Sequence, residues 1–367
     1  MNARQDLPSV PPVRFAKPPP QGSARPIFRW SFSALAIGIL LLGAALIGGR
    51  YWFLSRPVAQ QIIAATEEDP APFRVERGES FETAAARLEA LGWIPWSLPI
   101  RLEARLGRWD RRVYPGYYKF RRGESVGQLL ARFREGEIER VMITIPEGRR
   151  LSQILPILAE STWNAPEEFE ALAQDREWLE KQGIPGPGLE GYIFPETYEI
   201  ALGESPQEIL RQVTAPAVTF WNDSLRTKAE ALGLTASQTW ALASIIESEA
   251  VLPEERRRIS GVFWNRLRLG MRLESDPTVL YALGRAPGRV LYVDLEVASP
   301  YNTYRTPGLP PGAICQPGRA SLLAAVDPVV TEELFFVARG NGSHVFSKTL
   351  AEHNRARAQV RSSPENR

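Results

Sequence analysis

One cysteine and two histidines are all that 367 residues offer of the softer metal ligands. Cys315 has no partner within the chain, so no intrachain disulfide can form and a small disulfide-framework fold is excluded. A zinc site would have to draw most of its ligands from carboxylates, so no metal and no other cofactor is expected. Charge of one sign is also missing. Lys and Arg total 44 against 42 Asp and Glu, and the Arg residues are interspersed with Glu instead of forming a basic tract. Mixed, solvated faces account for that pattern, and no nucleic-acid partner is expected. There is no nucleophile elbow and no phosphate loop. Gly186-Pro-Gly188 lacks the strand-to-helix context that a phosphate site requires.

One long hydrophobic run is present. From Trp30 through Gly49 no residue is charged, and after Arg50 the run resumes as Tyr51-Trp-Phe-Leu54. Twenty helical residues rise about 30 Å, the thickness of a bilayer's hydrocarbon core. Trp30 and Tyr51-Trp52-Phe53 stand at its two ends, where an aromatic belt belongs. A cleaved signal peptide is the alternative, but the preceding 29 residues are Pro-rich and the run exceeds the usual signal core. Arg4, Arg14, Lys17, Arg25 and Arg29 precede it against Asp6 alone, whereas Glu67, Glu68 and Asp69 follow it. The basic excess predicts a cytoplasmic N-terminus, a single pass through a membrane, and about 300 residues outside. That is enough for two or three domains. About 20 residues connect Leu54 to Phe73, a tether of some 60–70 Å if extended.

Two segments of the body begin alike: Phe73-Arg-Val-Glu-Arg-Gly-Glu-Ser80 and Tyr118-Lys-Phe-Arg-Arg-Gly-Glu-Ser125. Each reads as a short strand, a Gly that permits a tight turn, a Ser N-cap and an apolar-periodic helix. A third version starts at Val141-Met-Ile-Thr-Ile-Pro-Glu-Gly148. Residues 72–160 therefore read as small strand–helix units rather than one large sheet. Helical periodicity returns over about 204–232. Thr235-Ala-Ser-Gln238 is a capping box opening the best helix in the chain, Thr239 to Val251. A second amphipathic helix covers about 254–267. Then comes a stretch dense in Pro, Gly and Tyr, with a helix near Arg319–Ala325 and a strand at Glu333–Ala338. The last dozen residues are polar and read as frayed.

Glu247 interrupts the apolar helix and shares a face with Trp240, Ala243, Ser244 and Val251. A carboxyl pressed against apolar and aromatic neighbours has its charged form destabilised, as a general acid for a glycosidic oxygen requires. Spacing alone does not separate it from Glu249, which shares a face with Ile245 and Ile246, nor from a solvent-facing role at the helix edge. Pro300-Tyr-Asn-Thr-Tyr-Arg305 followed by Gly308-Leu-Pro-Pro-Gly312 is a rigid loop whose Tyr and Asn side chains suit sugars. It would also serve as a structural cover. Glu274 and Asp276 supply further carboxylates in a loop. His344 and His353 read as hydrogen-bonded structural residues.

Leu242-Ala-Ser-Ile-Ile-Glu-Ser-Glu249, Val262-Phe-Trp-Asn-Arg-Leu267, Gly270-Met-Arg-Leu273 and Ser275-Asp-Pro-Thr-Val279 together resemble the YceG-like endolytic murein transglycosylases. Ser299-Pro-Tyr-Asn-Thr-Tyr304, Gly308-Leu-Pro-Pro-Gly312, Gln316-Pro-Gly318, His344-Val-Phe-Ser-Lys-Thr349 and Glu352-His-Asn354 continue the match, as do Leu189-Glu-Gly-Tyr192 and Phe194-Pro195 upstream. Gln316 departs from the more usual Asn. The resemblance implies cleavage of the N-acetylmuramic acid–N-acetylglucosamine bond inside nascent peptidoglycan strands, without water, leaving 1,6-anhydromuramyl ends and terminating glycan chains. It implies peptidoglycan and the lipid bilayer of the inner membrane as partners, with peptidoglycan synthases nearby. It also breaks the tie between the two glutamates in favour of Glu247 as acid and base. Trp240, Ser244, Asn265, Ser299, Tyr301, Asn302 and Tyr304 become candidates for holding the sugar, and Glu274 and Asp276 for second carboxylates. A muramidase-type hydrolase and a noncatalytic peptidoglycan-binding adaptor stay open as alternatives. The expected fold is α+β. A disordered tail (1–29) precedes a transmembrane helix (30–54), a linker (55–71) and a LysM-like subdomain (72–138). An intermediate α/β segment (139–200) leads to the mixed α/β catalytic domain (201–356), and a disordered end (357–367) follows.

Overall fold

The computed structural model of the chain describes residues 27–58, 72–111, 113–120 and 123–362. The expected N-terminal tail up to residue 26 and most of the expected linker, 59–71, lie outside the described residues. The chain is α+β: fourteen α-helices and three separate two-stranded antiparallel sheets among the described residues.

Helix α1 spans Ile27–Leu54. Its Ser33–Leu54 portion is long and apolar enough to cross a membrane, and Leu35, Leu40, Leu42 and Ile47 leave most of their surface exposed. An uncovered apolar helix of this length is consistent with single-pass anchoring. Its last turn is different, because Phe53 is buried in the core of the unit that follows.

That unit has the order β1 (Pro72–Val75), α2 (Phe81–Ala90), α3 (Ser97–Leu106), β2 (Gly116–Lys119), and leads into α4 (Val126–Glu135). β1 and β2 pair antiparallel with Phe73 opposite Tyr118, so the two look-alike segments are each other's sheet partners. The serines act as read: Ser80 Oγ accepts from the Thr83 amide, and Ser125 forms a capping box with Gln128. Phe73, Phe81, Leu88, Trp93, Tyr118 and Phe133 fill the core between sheet and helices.

The start of the expected tether is pinned to this unit. Val58 N donates to Glu124 O at 2.8 Å and Val126 N to Arg56 O at 2.9 Å. The Leu54 carbonyl packs against Gly127, where a Cβ would stand only 3.2 Å away. A free linker beginning at residue 55 is therefore corrected, since backbone pairing and the burial of Phe53 hold residues 53–58 on α4.

Glu139 joins the unit to the rest of the chain through backbone bonds on both sides, to Tyr117 O at 2.8 Å and from Leu202 N at 2.9 Å. The body then runs β3 (Arg140–Thr144), α5 (Leu151–Thr162), α6 (Pro166–Gln174), α7 (Arg176–Lys181) and β4 (Thr197–Ala201). β4 returns antiparallel to β3 with Tyr198 opposite Ile143. The periodic stretch expected over 204–232 is two helices, α8 (Pro206–Phe220) and α9 (Asp223–Ala231), because Asn222 turns out of the first and caps the second. Next come α10 (Ala236–Glu249), α11 (Arg256–Arg268), α12 (Asp276–Ala282) and α13 (Arg319–Val326). A hairpin of β5 (Phe335–Ala338) and β6 (His344–Ser347) precedes α14 (Leu350–Ser362).

The expected disorder from residue 357 is corrected as far as Ser362. Thr349 and Glu352 cap α14 reciprocally, its Ala356 is buried, and His353 stacks on Phe335 of β5 at 5.3 Å. Helix α10 is the centre of the body. Thr239 through Ile246 are all buried, with α9, α11, α12 and α13 against it. A helix that is apolar all round belongs in such a position, and its polar end emerges where the neighbours stop.

Candidate active site

Glu247 sits on that emerging last turn, with its side chain only 6% exposed. Its partners are donors. Ser321 Oγ donates to Oε2 at 2.7 Å and Gly318 N donates to the same oxygen at 3.1 Å. Arg256 Nη2 lies 3.5 Å from Oε1. The carboxylate therefore sits at the N-terminus of α13, where the amide ends and the helix dipole favour an anion. The apolar and aromatic surroundings expected for Glu247 are corrected, because α13 and α11 bring polar groups that helical periodicity could not reveal.

Arg256 Nε also donates to Ser321 Oγ at 3.2 Å, and its Nη2 is 3.8 Å from Glu147 on the loop after β3. Burial and the neighbouring Glu247 push the Glu147 carboxyl up, and Arg256 partly offsets this. Gly318 lets the Glu147 carboxylate come this close, since a Cβ there would push that side chain aside. Two glutamates thus share one guanidinium.

Gln316, two residues before Gly318, fastens the site to a second carboxyl. Its side chain donates to Glu190 Oε1 at 2.6 Å and accepts from Ile193 N at 3.0 Å. Its backbone exchanges 2.8 Å bonds with Gly148 and Arg149 beside Glu147. Burial pushes Glu190 up to about 7, with the Leu151 amide and Arg150 acting in the opposite direction. Glu190 lines a cleft of about 630 Å³ with Leu151, Leu155, Pro187, Tyr281 and Tyr301. The two tyrosine rings lie 4.8 Å apart.

Glu249 points elsewhere. Ser275 Oγ donates to it at 2.6 Å, and burial pushes its carboxyl up to about 7. It lines a cleft of about 450 Å³ with Glu274, Asp276, Tyr304, Phe335 and His353.

The other candidates divide accordingly. Trp240 is buried, donates to Gly191 O at 2.9 Å and stacks on Tyr192. Ser244 is buried and ties the Ile314 amide to α10. Asn265 holds the carbonyls of Thr331 and Glu333. Asn302 is buried and holds those of Leu295 and Val297. All four spend their polar atoms within the chain, on backbone groups and, for Asn265 Oδ1, on Arg268, which leaves them a scaffolding position instead of the sugar-facing one expected. Ser299 accepts from the Tyr301 amide within its turn. Tyr301 reaches the Glu190 cleft. Glu274 pairs with Arg266, and Asp276 accepts from the Tyr304 hydroxyl at 2.7 Å, both on the Glu249 side. Glu190 lies in the Leu189–Tyr192 motif and Glu147 in the Val141–Gly148 segment, yet neither was singled out, and Arg256 and Ser321 carried no signal, because most of these groups meet through contacts distant along the chain.

Comparison with known proteins follows the same stretch of chain. The profile of the YceG-like family matches residues 73–359. An endolytic murein transglycosylase of Bacillus subtilis (strain 168) is 34% identical over 269 residues, covering 68% of this chain and 73% of that protein. An endolytic murein transglycosylase of Streptococcus pneumoniae (strain R6) is 25% identical over 358 residues, covering 88% of this chain and 64% of that longer protein. The 2.6 Å crystal structure of a yceG-like protein from Listeria monocytogenes is 31% identical with a TM-score of 0.54. It covers 78% of this chain and 99% of its own.

Proposed function

The chain belongs to the YceG-like family, and from that premise we propose that it is a membrane-anchored lytic transglycosylase acting inside nascent peptidoglycan strands. The bond cut is that between N-acetylmuramic acid and N-acetylglucosamine, and Glu247 acts as both acid and base. The observation that carries this reading is the asymmetry of the Glu247 carboxyl. Oε2 is engaged by Ser321 and Gly318, whereas Oε1 has one long contact with Arg256 and is the oxygen available to hand over a proton. Protonated Glu247 donates to the glycosidic oxygen as that bond to C1 breaks and an oxocarbenium-like state forms. The C6 hydroxyl closes on C1 and returns its proton to Glu247, leaving a 1,6-anhydro end and consuming no water. The donors around Oε2 support the anion formed between the two steps.

Glu147 favours a second reading. A carboxylate on the other side of the same guanidinium is a candidate for activating water, as an inverting or retaining hydrolase would need. Of the wider organisation, we read residues 72–138 as LysM-like on the strength of their β–α–α–β order. We read 139–200 as a connecting segment and 201–356 as the catalytic domain. The N-terminus is cytoplasmic and the body faces the wall, ending glycan chains beside the synthases that make them.

Digestion of purified peptidoglycan by the full chain in detergent, followed by mass spectrometry, tests this. Internal anhydro-ended products are expected, falling by at least about 100-fold in Glu247→Gln. Reducing ends that vanish in Glu147→Gln would replace transglycosylation with hydrolysis. Retained glycan binding without any cleavage would leave a noncatalytic adaptor.

A further inference from the structure

Helix α3 carries two apolar faces, and only one is used. Ser97, Ile100 and Ala104 are buried against the unit's core, whereas Leu98, Leu102 and Leu106 are 70%, 55% and 74% exposed. Their four-residue spacing puts the three leucines in one stripe, on the side of the helix away from the core. Between the two faces, Trp96 stacks on Phe53 of α1 at 6.4 Å, and Glu103 pairs with Arg50 of α1 at 2.6 Å. Helix α3 therefore lies beside the final turn of the apolar span, with the core on one side and the leucines on the other.

That level is the edge of a bilayer. Tyr51 and Trp52 on the same turn are exposed, as interfacial aromatic anchors are. Charge fits as well. Glu82 and Glu103 are taken up by Arg101 and Arg50, which leaves Arg105, Arg108 and Arg111 against Asp110 along this edge. A groove of about 370 Å³ between α2 and α3, lined by Leu98, Arg101, Leu102 and Arg105, gives a headgroup room to enter.

We propose that the leucine stripe of α3 is a membrane-contact surface that inserts between the headgroups of an anionic phospholipid leaflet, fixing the β–α–α–β unit flat on the bilayer where α1 leaves it. The inference rests on α1 being the membrane anchor. Burying three leucines in the interface favours this orientation by the hydrophobic effect, while the flanking arginines reach back to phosphate.

The test uses the full chain in nanodiscs of mixed phosphatidylcholine and phosphatidylglycerol, with Cys315→Ala and a single label at Leu102→Cys or, separately, Ala45→Cys. Lipids carrying a nitroxide at a shallow or a deep acyl position serve as quenchers. Loss of emission is expected from the deep quencher at position 45 and from the shallow quencher at position 102. Adding Arg105→Glu and Arg111→Glu should diminish the loss at 102 and leave that at 45 unchanged. Quenching at 45 with none at 102 overturns the proposal while the anchor stands. No quenching at 45 removes the anchor and the proposal together.

Discussion

Glu190 and Glu249 are half-buried acids whose carboxyls desolvation raises to about 7 from an ordinary 4.5. In the unfolded chain each loses its proton near pH 4.5, whereas in the folded chain each keeps it until about 7. Across that interval the native state binds more protons than the unfolded state, so stability falls as pH rises from about 4.5 to 7 and levels off above. Each acid contributes up to about 3 kcal/mol to that fall. Glu249→Gln keeps a carbonyl oxygen for the Ser275 hydroxyl and removes the titration. Its melting temperature is therefore expected to decline less between pH 5 and pH 8 than that of the parent, and parallel declines would show that Glu249 does not titrate there. At this scale the sequence was only partly legible. An acid interrupting an apolar helix marked Glu247 and Glu249 as alternatives. The roles of Glu147 and Glu190 went unread although both stand in segments the sequence marked, because the partners that define them, Arg256 and Gln316, lie more than 100 residues away. Asn302 misled for the same reason: an amide in a Tyr-rich loop looks sugar-facing until Leu295 and Val297 are seen to occupy it.

Elements are where the sequence spoke most directly. A helix start depends on a few adjacent residues, so Ser80, Ser125 and the Thr235–Gln238 box could be read locally and are found in place. The repeat located both strands, but their antiparallel pairing, with Phe73 opposite Tyr118 and Val75 opposite Gly116, is a contact across the chain that the repeat does not specify. Helix α3 had no such signature. With one apolar face on the core and a second exposed, it lacks the single-sided pattern by which a surface helix is recognised. The Thr235 box carries particular weight because it opens the helix that ends in Glu247 and Glu249. Thr235→Ala removes the acceptor for the Gln238 amide and is expected to cost about 1 kcal/mol in urea denaturation, at an unchanged denaturant slope. A loss within a few tenths of zero would mean that the buried length of α10, not its cap, sets where the helix begins.

For the molecule as a whole, the anchor and the body are less separable than a 20-residue tether would make them. Phe53 belongs to the core of the β–α–α–β unit, and Arg56 and Val58 pair with α4, so the unit begins where the apolar span ends. How far the Glu247 site stands from the bilayer is then governed by the height of the body instead of by slack chain. Under the transglycosylase reading, only strands within that height are cut, which favours newly made glycan over mature wall. The consequence is open to experiment, provided that the release site spares the core. Replacing residues 27–49 with a soluble exported leader keeps Arg50 through Val58 and their contacts, whereas a cut after Leu54 would remove Phe53 and unsettle the unit. The released body is expected to generate anhydro ends throughout the wall, read as a rise in such ends from older, pulse-labelled glycan relative to new. The same ratio from anchored and released chains would mean that something other than distance from the membrane selects the strands.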